Sequence, residues 1–329
     1  MTLTLAIPSK GRLQEQAAAY FADAGLVLKQ ASGARGYRAT LSGQPGIDVM
    51  LLSASEIAAA LLAGDVHFGI TGEDLLRETA PELESRIALI HPLGFGFANV
   101  VVAVPQAWID VTTMADLDDV CAAFAHRHRR RLRIATKYVH LTRAFFAHAG
   151  ISDYRIVESA GATEGAPTAG TAEAIVDITT TGATLAANGL KTLEDGTILE
   201  SQAQLAASLM ADWGAEERAI AQALLSRFSA RERAKASQVL RVHLGSDAEA
   251  VVAALTNADV SLLSRPAPLA GEYAFLCPRA RLMEAMAILR AHGGAAATVH
   301  DADYIFDDGD PLTAKLETAL ATAETPARL

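Results

Sequence analysis

The stretch TAEAIVDITTTGATLAANGL, Thr171 to Leu190, holds the residue types and spacing best suited to chemistry. An apolar strand core is flanked by two carboxylates, Glu173 and Asp177. It runs into Thr179, Thr180, Thr181, Gly182, Ala183 and Thr184. In open α/β sheets ligands bind beyond the carboxyl ends of strands, which is where Asp177 falls. Consecutive hydroxyls, a glycine that lets the backbone approach a ligand, and the unpaired N–H groups of a helix starting near Gly182 suit an anion such as phosphate. A carboxylate a short distance away can accept hydrogen bonds from ribose hydroxyls. A phosphorylated ribose offers both groups in one molecule. The plainer reading of the same residues is a strand–turn–helix with threonine at the cap.

Alternating strands and helices must position that loop. TLTLAI (Thr2 to Ile7), IDVMLL (Ile47 to Leu52) and VHFGIT (Val66 to Thr71) read as buried strands. A helix over about Gly11 to Ala24 and a second, capped by Ser53 or Ser55, lie between them. This βαβ grammar implies a mostly parallel sheet. His91 to Pro105 reads as a crossover strand into a second lobe. There the pattern restarts with LRIAT (Leu132 to Thr136), a helix over about His140 to Ala149, YRIVES (Tyr154 to Ser159) and AIVDI (Ala174 to Ile178). Thr197 to Ser208 reads as one extended segment returning to the first lobe. Two lobes joined by two crossings leave a cleft, a natural ligand site. Lys10 and Arg12 follow the first strand, and Lys137 follows a second-lobe strand.

A long amphipathic helix spans Glu216 to Lys235, with Ile220, Leu224 and Phe228 on one face. Beyond it the order strand, helix, strand, strand, helix, strand is the split βαβ pattern, provided that VSLLS (Val260 to Ser264) supplies a strand. The expected organisation is a first catalytic lobe over 1–94 and 195–225, a second over 95–194, a small α+β domain over 226–310 and a tail over 311–329.

Composition narrows the function classes. The 329 residues are 51% apolar, and 28 Lys and Arg against 38 Asp and Glu leave a net charge of −10. No global basic footprint for nucleic acid exists, so binding of polyanions must rest on local positive potential. The basic run RHRRRLR (Arg127 to Arg133) reads as a solvated connection. No apolar run is long enough for a membrane span and no export signal precedes the first strand, so a cytoplasmic protein is expected. The two cysteines, Cys121 and Cys277, form no metal-spaced set.

The Thr171 to Leu190 segment closely resembles the phosphoribosyl-pyrophosphate signature of ATP phosphoribosyltransferases, with Asp177, Thr181, Gly182 and Thr184 matching. Glu173 stands where that family more often shows Asp. ATKYVHLTRAFF (Ala135 to Phe146), SAGATEGAP (Ser159 to Pro167, with Glu164 at the acidic position), IPSKGRL (Ile7 to Leu13, including Gly11) and GITGEDLL (Gly69 to Leu76) are similar to further family segments. One block departs: Ser53, Glu56 and Ala58 replace the family's Arg, Asp and Pro, which leaves Arg35 or Arg38 to supply a cation. The resemblance implies a two-lobed core like that of periplasmic binding proteins, with a C-terminal ferredoxin-like or ACT-like domain. It implies transfer of phosphoribose to N1 of ATP with Mg²⁺, the first step of histidine biosynthesis.

The resemblance assigns the ribose hydroxyls to Asp177 with help from Glu173, and the 5′-phosphate to Thr180 to Thr184. Lys10, Arg12 and Lys137 would face pyrophosphate or ATP phosphates. It further implies histidine as feedback inhibitor and assembly as dimers or hexamers. A two-lobed ligand trap without catalysis is the competing reading.

Overall fold

The computed structural model describes residues 2–30, 37–80, 82–159, 161–266, 271–293 and 296–324. The chain divides into two compact units, 1–220 with 315–329, and 221–314.

The first unit opens with β1 (Leu3–Pro8), α1 (Gly11–Asp23), β2 (Val27–Gln30), β3 (Arg38–Ser42), β4 (Ile47–Leu52), α2 (Ala54–Ala63), β5 (Phe68–Gly72), α3 (Glu73–Thr79) and β6 (Ile87–Pro92). It continues with β7 (Asn99–Pro105), α4 (Met114–His128), β8 (Leu132–Thr136), α5 (Val139–His148), β9 (Tyr154–Glu158), β10 (Ala174–Thr179), α6 (Ala183–Ala187), β11 (Leu190–Leu199) and β12 (Ala203–Ser208). Two sheets result. One has the order β2-β3-β4-β1-β5-β12-β6, the other β11-β7-β10-β8-β9.

β1 is central and almost wholly buried because its residues are apolar on both faces, as a strand covered by helices on each side requires. It pairs in parallel with β4 and β5. Ser53 begins α2 through a reciprocal capping box: its hydroxyl accepts from the Glu56 N–H while the Glu56 carboxylate accepts from the Ser53 N–H. Two residues of the block that departs from the family pattern therefore make a helix cap.

Both crossings were expected as single extended segments, and each is two strands. β6 and β7 are separated by 93–98, where Gly94 and Gly96 take positive φ of 71° and 66°. That conformation is cheap only for glycine, and it turns the chain out of one sheet toward the other. β11 begins at Leu190, pairs antiparallel with β7, and breaks before β12 enters the first sheet. The two breaks lie side by side: the Ala98 N–H donates to the Ser201 carbonyl and the Ala203 N–H to the Phe95 carbonyl, both at 2.9 Å. They form a two-stranded hinge.

The boundary between the two units falls within α7 (Ala215–Ala236). The second unit then contains β13 (Ser237–Leu244), α8 (Ala248–Asn257), β14 (Ser261–Ser264), β15 (Gly271–Pro278), α9 (Leu282–Ala291) and β16 (Ala297–His300). Its sheet order β14-β15-β13-β16, antiparallel throughout, is the ferredoxin-like arrangement. Leu240, Val242, Tyr273, Phe275, Val251 and Leu289 fill its core. α10 (Pro311–Glu324) buries Leu316 and Leu320, and Arg218 pairs with both Glu317 and Glu324, so residues from 315 onward group with the first unit.

Candidate active site

β8 and β10 are parallel neighbours, with Ile134 opposite Ala174 and Ala135 opposite Ile175. Their carboxyl ends therefore emerge together, placing Lys137 beyond one and Asp177 near the end of the other. The two side chains are close enough for the lysine charge to act on the carboxyl group.

Asp177 is half-buried. Burial pushes its pKa above the usual Asp value, against the opposing pull of the Ile178 N–H and the Lys137 charge, and Glu164 adds a further upward push. Its Oδ1 accepts from the Ile178 N–H at 2.8 Å. Its other carboxylate oxygen has no protein partner among the described residues.

The turn after β10 is held from within. The Thr179 hydroxyl accepts from the Gly182 N–H at 2.8 Å, and Gly182 sits at φ 75°. Thr180, Thr181, Ala183 and Thr184 are exposed at the rim. α6 has only five residues, so any anion affinity here comes from the turn's hydroxyls and N–H groups more than from a helix dipole. The Thr180 hydroxyl donates to the Phe97 carbonyl at 3.0 Å, tying the turn to the hinge.

A cavity of about 500 Å³ opens between the lobes. Arg12 and Leu13 line it from α1, Gly94 to Ala98 from the hinge, and Lys137, Ile178 and Thr180 from the second lobe. Arg12 and Lys137 make no ion pair among the described residues, and both are exposed with Lys10 and Gly11. The cavity thus presents Arg12 and Asp74 from the first lobe and Lys137, Tyr138 and Thr180 from the second around one space.

Glu173 departs from the expected arrangement. It precedes β10, about 13 Å along an extended chain from Asp177. Arg133 Nη2 approaches its Oε1 at 2.7 Å, Arg130 Nη2 approaches the same oxygen at 3.0 Å, and the Arg133 N–H donates to Oε2 at 2.8 Å. These bonds hold its pKa at about 2 despite partial burial. Both of its oxygens are thus engaged by arginine at the opposite end of the strand from Asp177, an arrangement that the resemblance did not anticipate. The same contacts revise the basic run: Arg130 and Arg133 form a structural clamp. Of the candidate replacement cations, Arg38 pairs with Asp48 at 3.1 Å, and Arg35 lies outside the described residues.

Residues 53–230 match the family profile described as ATP phosphoribosyltransferase. A relative of that name from Rhodopseudomonas palustris strain HaA2 is 54% identical over 96% of this chain and 98% of its own. Another, from Nitrobacter winogradskyi, is 53% identical over 98% and 99%. The chain belongs to the ATP phosphoribosyltransferase family. Among solved structures, a chain of the "ATP phosphoribosyl transferase (HisG:HisZ) complex" from Thermotoga maritima shares the fold. Its TM-score is 0.52 at 23% identity, over 69% of this chain and 96% of that one.

Two carboxylates of α3 have partners that sequence patterns did not mark. Asp74, in the first turn of α3 and within the GITGEDLL segment, is buried. It accepts from the Tyr138 hydroxyl at 2.6 Å and from Ser201 at 2.9 Å. Burial and that carboxylate drive the Tyr138 pKa well above the phenol range. The Glu78 carboxylate accepts from the His140 and Leu141 N–H groups and so caps α5 from the opposite lobe. Partners 62 to 127 residues apart carry no local signature. Among the described residues no group of three or more His, Cys, Asp or Glu could hold a metal ion. No described helix is long and apolar enough to cross a membrane.

Proposed function

We propose that the chain joins phosphoribosyl pyrophosphate to N1 of ATP and releases pyrophosphate, the opening reaction of histidine biosynthesis. The observation that carries this reading is Asp177. It is half-buried with one oxygen unpartnered among the described residues, adjoins Lys137, and directly precedes Ile178, which lines a two-lobed cavity together with Arg12, Lys137 and Thr180.

In the reaction the N1 lone pair forms a bond to C1′ as the C1′–oxygen bond breaks, and pyrophosphate departs with the bonding electrons. N1 is unprotonated at neutral pH, so the enzyme needs no strong base. Its task is to bring two polyanions together and stabilise the leaving group. Asp177 accepts from the ribose hydroxyls. Thr180 to Thr184 bind the 5′-phosphate, with Thr179 holding the turn. Lys10, Arg12 and Lys137 neutralise the polyphosphates. Alignment in a closed cleft is worth up to about 7–11 kcal/mol in favourable systems. Magnesium enters as the cation of the polyphosphate complex, a component of the substrate.

The domain limits proposed are 1–94 with 195–225 and 95–194 for the catalytic lobes, with 226–310 regulatory. We assign histidine inhibition to the ferredoxin-like unit, assembly to dimers and hexamers, and the location to the cytoplasm, where ATP and phosphoribosyl pyrophosphate are made. The test is pyrophosphate release with histidine titrated in. Release requiring both substrates supports the reading, and release with adenine in place of ATP, or none at all, overturns it. Unchanged activity at millimolar histidine, or inhibition surviving removal of residues after about Phe228, overturns the regulatory part.

A further inference from the structure

We propose that Phe97, with Ile178 beside it in the same cavity, is the platform on which the purine ring of the acceptor nucleotide lies. This deepens the functional reading above and rests on it.

Phe97 is 55% exposed and Ile178 38% exposed, yet both line the inter-lobe cavity. Adjoining large apolar side chains left open inside a cleft that also holds Arg12 and Lys137 offer a surface for a ligand to cover. The hinge sets which phenylalanine does so. Gly94 and Gly96 turn the chain on either side of Phe95, whose ring packs against Tyr20 with centroids 6.3 Å apart. Phe97, on the far side of Gly96, has no ring neighbour among the described residues.

The chemistry asks for such a surface. N1 lies on the edge of the adenine ring and must remain open to attack C1′. A ring held by its face leaves that edge unoccupied, and base–aromatic stacking supplies the affinity without hydrogen bonds to it. The platform must also adjoin the phosphoribose cradle, because the two substrates react with each other. The bond from the Thr180 hydroxyl to the Phe97 carbonyl sets platform and cradle side by side. Arg12 in the same cavity stands ready for the nucleotide's phosphates.

The experiment compares Phe97→Ala, Phe97→Trp and the unaltered enzyme in steady-state pyrophosphate release, with inorganic tripolyphosphate as an inhibitor that carries the anion but no base. Phe97→Ala should raise the KM for ATP roughly tenfold, within the range of a lost base–aromatic stack. The KM for phosphoribosyl pyrophosphate and the inhibition by tripolyphosphate should stay unchanged. Phe97→Trp should keep the KM for ATP near that of the unaltered enzyme. An unchanged KM for ATP in Phe97→Ala overturns the platform. So does an equal rise for both substrates, which would make Phe97 a hinge anchor only, or a parallel loss of tripolyphosphate inhibition. If the unaltered enzyme releases no pyrophosphate, it is the functional reading that fails.

Discussion

The two ends of β10 set one carboxylate against another. Glu173 and Asp177 are four residues apart on either side of the same apolar core, and the resemblance gives both to the ribose. At one end Glu173 is saturated by Arg130 and Arg133 and ionises far more readily than a free glutamate. At the other end Asp177 is half-buried with a single backbone partner and ionises less readily than a free aspartate. A group whose bonds are all made inside the protein stabilises the fold. A group held in a cleft with an oxygen unsatisfied is poised for a ligand, at some cost to stability.

The largest effect that could break this contrast is on turnover. Asp177→Ala should lower kcat by roughly 10²–10³-fold, as loss of one preorganised electrostatic contact does elsewhere. Circular dichroism and melting temperature should be retained. Phosphoribosyl pyrophosphate should raise the melting temperature of the unaltered protein and not of the variant. Near-normal turnover would take Asp177 out of the mechanism.

Glu173→Gln should do the reverse. It leaves kcat unaltered and costs about 1–3 kcal/mol, because the guanidinium groups lose a charged acceptor. This reads as a lower urea midpoint at pH 7. The folded pKa is depressed, so the stability Glu173 contributes is fully present above the ordinary glutamate value of 4.5. It is lost as pH falls toward about 2. The gap between variant and parent should therefore close over that interval, and a gap independent of pH would refute the ion-pair account.

Glu173→Asp is a gentler form of the same test. One methylene less shortens the reach to Arg130, whose side chain is 47% exposed. The expected cost is about 0.2–1 kcal/mol with activity retained. A fall in kcat here would return the residue to the active site.

The smallest effect is the stability of Asp177→Asn, and its sign is opposite. The folded pKa of Asp177 is raised, so its charge weighs against folding above that pKa and ceases to do so below the ordinary value of 3.8. The variant should be slightly more stable than the parent at neutral pH, with the advantage gone in acid. A variant less stable at pH 7 would mean that Asp177 has partners beyond the Ile178 N–H.

Local chemistry was sufficient for much of this protein. Short apolar runs specified β1, β4, β8 and β10, and the split βαβ order anticipated the ferredoxin-like sheet, because both patterns need only short-range periodicity. The turn after β10 was legible for the same reason, because it is built from neighbours in the chain. Tertiary structure alone decided what each charge does. It brought Arg130 and Arg133 to Glu173 across 43 and 40 residues, Tyr138 and Ser201 to Asp74, and Glu78 to the start of α5. It also divided each crossing into two strands, so that the hinge and Phe97 came to border the cleft. A carboxylate has the same formula in a clamp or a binding site. Burial and partners decide between them, and those are properties of the packed chain that no local spacing encodes.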